Sequence, residues 1–162
     1  PRDYVKQQEI ELVLSEMAEQ VAIRLRAIRK KTTTVSISIG YSRFEESTSF
    51  RGQMKIEPTN QTEELQKYVI SLFRKKYNGG AVRSISVVYS SFVDKNITML
   101  SLFDDPEEIL KKERLQTAID AIRSQFGFTT LQKANSLTSA SRSIARSKLV
   151  GGHSAGGLDG LK

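Results

Sequence analysis

The sequence predicts an α+β domain: an antiparallel sheet with two helices packed on one face, in the order β-α-β-β-α-β but lacking most of the first strand, then a third helix and a flexible tail. Two observations predict it. Over the first 92 residues the spacing of apolar side chains switches between three-to-four and two, in the order helix, strand, strand, helix, strand. The hydrophobic share is 38%, below the roughly 45–50% that apolar residues and Gly reach in fully globular chains. A core is therefore expected beside a polar remainder.

Residues 9–31 open Glu-rich and close Arg/Lys-rich, matching a helix dipole, and Leu14, Met17, Val21, Leu25 and Ile28 make one apolar stripe. From 32 to 43 the period becomes 2, with Val35, Ile37, Ile39 and Tyr41 on one face and Thr34, Ser36, Ser38, Gly40 and Ser42 on the other. After a connector, Phe50, Met54 and Ile56 alternate with Arg51, Gln53 and Lys55, which completes a hairpin. Asn60, with Glu63 three residues on, reads as the capping box of a second helix whose apolar face is Leu65, Tyr68, Val69, Leu72 and Phe73. Asn78-Gly79-Gly80 ends it. Residues 81–92 form a further strand, with Ile85, Val87 and Tyr89 opposed to Ser84, Ser86, Val88 and Ser90. Asp105 as N-cap and Pro106 at the first helical position start a third helix, striped by Leu115, Ile119, Ile122 and Phe126 and closed by Gly127. Beyond it the chain is rich in Ser, Gly and Arg, with a short helix within 137–148 and a mobile Gly-rich end.

Composition narrows the chemistry. There is no cysteine, which excludes disulfides and thiolate metal sites and suits a cytoplasmic setting. The one histidine, His153, lies among glycines and cannot supply a Ser-His-Asp triad or a multi-histidine metal site. No apolar run reaches the roughly 18 residues of a membrane span. Opening on Pro1-Arg2-Asp3, without Met, the chain reads as a piece of a longer protein. The glycine clusters lack the context of a phosphate-binding loop, and no carboxylate pair suits two-metal chemistry, so no catalytic set is visible.

The net charge of +7 is unevenly spread: residues 1–97 and 128–162 are basic, and 98–127 are acidic. The outward sheet residues are small hydroxyls and a few cations. Such a face lets a phosphate backbone approach, with hydroxyls bonding phosphate oxygens and Arg and Lys neutralising them. It is also what a plain solvated sheet face looks like. Single-stranded RNA is a weaker match, because Tyr41 and Tyr89 fall on the inward parity and offer no stacking platform.

Met99-Leu100-Ser101-Leu102-Phe103 crowds apolar residues just before the third helix. It either closes over the core or fits a pocket in another protein. Taken with Pro1-Arg2-Asp3-Tyr4, the element order of residues 9–92, "AIDAIRSQFG" and "SRSIARSKLVGGHSAGG", it gives the chain a likeness. The chain resembles the C-terminal part of a Y-family translesion DNA polymerase of the UmuC-like branch. The likeness covers nearly the whole length.

That resemblance implies a little-finger DNA-binding domain over 1–95, a clamp-binding linker peptide over 96–104, a helix over 105–127 and a basic, largely flexible tail over 128–162. It implies that Lys31, Thr34, Ser36, Ser38, Ser42, Arg51, Gln53, Lys55, Arg83, Ser84 and Ser86 grip primer-template DNA. It implies that Met99, Leu100, Ser101, Leu102 and Phe103 bind a sliding clamp, with Met99 where the family usually has Gln. Error-prone synthesis in DNA repair and the SOS damage response would be the parent's role. Catalysis, and the magnesium it uses, would belong to domains outside this fragment, which holds no cofactor. The missing first strand would leave an edge open to homodimerisation. The second reading is a stand-alone α+β module that binds nucleic acid or protein, with no polymerase parent.

Overall fold

A computed structural model describes residues 3–46, 48–96, 105–150 and 153–154. Helix α1 (Gln7–Ala27) leads directly into strand β1 (Lys30–Tyr41), which pairs antiparallel with β2 (Phe50–Thr59). Helix α2 (Thr62–Lys76) returns the chain to β3 (Val82–Asp94), which pairs antiparallel with the other edge of β1. The sheet order is β2-β1-β3. Tyr4 makes one antiparallel bridge to Val82, which is all that stands in a first-strand position among the described residues. The result is the expected α+β arrangement.

Both helices cover the same sheet face, α1 against β3 and β1, α2 against β1 and β2. The period-2 pattern explains why. Val35, Ile37 and Ile39 of β1 and Val87 and Tyr89 of β3 all point to that side and are buried. They meet Ile10, Val13 and Leu14 of α1 and Leu65, Val69 and Phe73 of α2. Each such side chain contributes about 1.5–3 kcal/mol by leaving water.

Some local expectations give way to tertiary structure. The buried line of α1 is Ile10, Leu14, Ala18, Ala22 and Leu25; Met17 and Val21 pack at its flank, and Ile28 is 57% exposed because the helix has ended at Ala27. Asn60 does not cap α2. Its side chain donates to the Lys30 carbonyl, while the Thr59 hydroxyl accepts from the Gln61 N–H and donates to Glu64. Helix α2 ends at Lys76 with Tyr77 already extended, so Gly79 and Gly80, at positive φ of 103° and 98°, turn the chain beyond the helix end and do not stop it as C′ glycines.

Helix α3 (Pro106–Phe126) begins as the sequence predicts, with the Asp105 carboxylate accepting from the Glu107 N–H at 2.9 Å. Its docking is unexpected. The side that meets the body is polar: Glu113 faces Lys31, Asp120 takes two bonds from Arg26, and Arg123 donates to Glu19. The predicted apolar stripe looks outward instead, with Leu115 and Phe126 61% and 65% exposed. After two single 3-10 turns (Phe128–Thr130 and Ala134–Leu137), a short helix α4 (Ser143–Ser147) reaches back to α1. There the buried Glu16 carboxylate accepts from the Ser141 hydroxyl and the Arg142 N–H, and Arg142 Nε donates to the Tyr4 hydroxyl at 2.7 Å.

Candidate nucleic-acid interface

The sheet face turned away from the helices is built in cross-strand rows. Pairing registers align Arg51, Ser38 and Ser86 in one row, Gln53, Ser36 and Val88 in the next, and Lys55, Thr34 and Ser90 in the third. The order in each is β2, β1, β3. Arg51, Gln53 and Lys55 are exposed on the β2 edge, and Ser86 and Val88 on β3. Ser36 and Ser38, half-buried, floor the centre. These nine positions include no carboxylate; Glu57 stands beyond the last row. Neighbouring strands lie about 4.8 Å apart, so the face is about 10 Å across between outer strands.

Small details shape this face. Gly40 of the central strand has no Cβ where the Ser84 hydroxyl crosses it; a Cβ there would collide with that oxygen. The Lys76 ammonium donates to the Arg51 carbonyl at 2.7 Å, adding a cation behind the β2 edge. The Ser36 hydroxyl donates to Oε1 of Gln53 at 3.4 Å. A hollow of about 470 Å³ lies between the β2 and β3 side chains.

The remaining candidates from the sequence are placed differently. Thr34 belongs to the third row but is only 5% exposed. Ser42 is buried past the end of β1, where its N–H donates to the Ala81 carbonyl. Lys31 is buried too, 4.0 Å from Glu113 of α3. Arg83 is exposed at the β3 entry and pairs with Asp3 at 3.3 Å. Ser84 is exposed beside it. Lys30 and Asp94 close the far end of the sheet at 2.6 Å, and the ammonium holds the Asp94 carboxyl below its ordinary range. Val88 and Ser90 share the face through strand parity alone, a signal that marks position but not chemistry. Met99, Leu100, Ser101, Leu102 and Phe103 lie outside the described residues. No three His, Cys, Asp or Glu side chains converge as a metal site among the described residues, and no described helix is long and apolar enough to cross a membrane.

Residues 1–102 match the model of the impB/mucB/samB family C-terminal domain. UvrX of Bacillus subtilis, named for UV-damage repair, is 39% identical over 153 residues, covering 94% of this chain and 36% of its own length. DNA polymerase IV 2 of the same organism is 37% identical, covering 94% of this chain and 37% of its own. DNA polymerase IV 2 of Halalkalibacterium halodurans is 33% identical with the same coverage. The chain thus spans a little over a third of the length of these relatives.

Proposed function

Since this chain belongs to the impB/mucB/samB family, as its C-terminal domain, we propose that it is the DNA-gripping part of a translesion DNA polymerase acting in repair and in the SOS damage response. The sheet holds the primer-template duplex as a little finger does, and a peptide over 99–103 tethers the parent to a sliding clamp. Relatives named as DNA polymerases and as a UV-damage repair protein support the reading. Residues 1–95 would be the gripping domain, 96–104 the tether, 105–127 a helix and 128–162 a basic tail. Polymerisation and its magnesium belong to the remaining length of the relatives.

One observation carries the duplex reading: cations at Arg51 and Lys55 line one edge of a face otherwise made of hydroxyls, with no carboxylate in the three rows. Double-stranded DNA offers phosphates along both walls of a major groove about 12 Å wide, and the axes of the outer strands of the face stand about 10 Å apart, a comparable span. Cations neutralise one wall, and the hydroxyls of β3 hydrogen-bond the other. These phosphate contacts by themselves position a duplex and carry no sequence information.

The test is fluorescence anisotropy of a labelled primer-template against salt. Log K should fall linearly with log salt, and Arg51→Ala with Lys55→Ala should flatten the slope by about 2, one per lost phosphate contact. A flat salt response, or a preference for single-stranded RNA, would sink the reading and favour a stand-alone module. For the tether, binding to a bacterial sliding clamp should vanish in Leu102→Ala/Phe103→Ala while the circular dichroism spectrum stays unchanged.

A further inference from the structure

The middle row of the sheet face differs from the two around it. Its neighbours hold a cation and hydroxyls; it holds the carboxamide of Gln53 on β2, Ser36 on β1 and the isopropyl group of Val88 on β3. Val88 is 51% exposed and is the one apolar side chain among the nine row positions. Gln53 sits between Arg51 and Lys55 on the same edge, two residues from each, so cations that fix the phosphates also fix where its amide reaches. The Ser36 hydroxyl bonds one lone pair of its oxygen. The second lone pair and both amide hydrogens stay available. A carboxamide with one acceptor and one donor free matches N6 and N7 of adenine, and an exposed branched methyl group matches the 5-methyl of thymine. The two stand on opposite edges of the sheet across a small hydroxyl, a spacing of about 10 Å set by three strands.

We propose that Gln53, Ser36 and Val88 form a base-edge reader within this backbone-gripping face, favouring A·T pairs in the major groove of the bound duplex. The inference rests on the duplex reading above. Arg51, Lys55 and the serines give affinity; the middle row adds a preference for duplex stretches with adenine and thymine beneath it. The domain would then dwell longer on A·T-rich primer-template segments, whatever the lesion ahead.

The experiment measures binding of the full chain to duplexes of equal length at fixed salt. One carries thymine, one deoxyuridine at the same positions, and one 7-deazaadenine in place of adenine. Uracil lacks only the methyl group, and 7-deazaadenine lacks the N7 acceptor. Wild-type protein should bind the uracil duplex about fourfold more weakly, the factor that burial of one methyl group gives. It should lose about tenfold on the 7-deazaadenine duplex, the lower range for a bidentate contact. Val88→Ser, which removes both methyl groups at an exposed strand position, should abolish the uracil effect alone. Gln53→Ala should abolish the 7-deazaadenine effect alone. Equal binding of all three duplexes by wild-type protein, with steep salt dependence retained, overturns the reader and leaves the duplex grip standing. Absence of binding to any duplex overturns both.

Discussion

Tyr89 shows how much one group can hold. Its ring is buried in the core between sheet and α1, and its hydroxyl donates to the Ala18 carbonyl at 2.9 Å. Burial pushes the phenol well above its ordinary range, so it stays neutral and remains a donor at every physiological pH. Tyr89→Phe should cost about 1 kcal/mol in urea unfolding, because one buried bond is lost and no cavity opens. Glu11 gives a different signal. Two bonds from Arg74, at 2.8 and 2.7 Å, hold its carboxyl below the ordinary value. A group whose folded value is depressed adds stability above its unfolded value and loses it as pH falls through the folded one. Glu11→Gln should therefore lower stability at pH 7 and flatten the acid limb of the stability curve. Neither partner is visible in sequence, since Glu11 and Arg74 are 63 residues apart. The Asn60 case is similar: its Asn-x-x-Glu spacing suits a capping box, but a carbonyl 30 residues away takes the side chain instead.

At the scale of elements, α3 inverts the usual rule. An amphipathic helix normally buries its apolar stripe; this one docks through Glu113, Asp120 and Arg123 and leaves Leu115, Ile122 and Phe126 to water. Leu115→Lys and Phe126→Lys should each change stability by no more than about 0.5 kcal/mol, the range of exposed sites. A larger loss by thermal melting would mean the stripe is core. Arg123→Ala is the contrasting case, because it leaves Glu19 buried without its cation. Hydrogen exchange should then quicken through α3 and the turns after it, while β1 amides stay slow. These two helix faces also show why legibility was uneven. Period 2 revealed the sheet's inward and outward residues, because a one-residue slip would move every side chain to the wrong side. It also placed Arg51, Gln53, Lys55, Ser36 and Ser86 together. It could not reveal the register shift between Thr32 and Thr34, the burial of Thr34, or the arrival of Glu113 beside Lys31. The first depends on pairing geometry, and the last on an element 82 residues later in the chain.

On the scale of the whole molecule, two layers of different character share α1. Towards the sheet, contact is apolar and close-packed; towards α3 and α4, it is a set of ion pairs and charged hydrogen bonds centred on Glu16, Glu19 and Arg26. Glu16, Glu19 and Arg123 are buried, so salt screens these pairs much less than it screens exposed ones such as Lys30 with Asp94. The junction of Arg142 with Tyr4 joins residues 138 apart, whereas Ser36 and Gln53 in the hairpin are 17 apart. Closing the longer loop costs about 2 kcal/mol more in chain entropy. The junction should thus form after the rate-limiting step of folding. Arg142→Ala should speed unfolding in stopped-flow experiments and leave the folding limb unmoved. What ties the two distant segments together would then set how long the folded chain survives, and have no say in how quickly it is made.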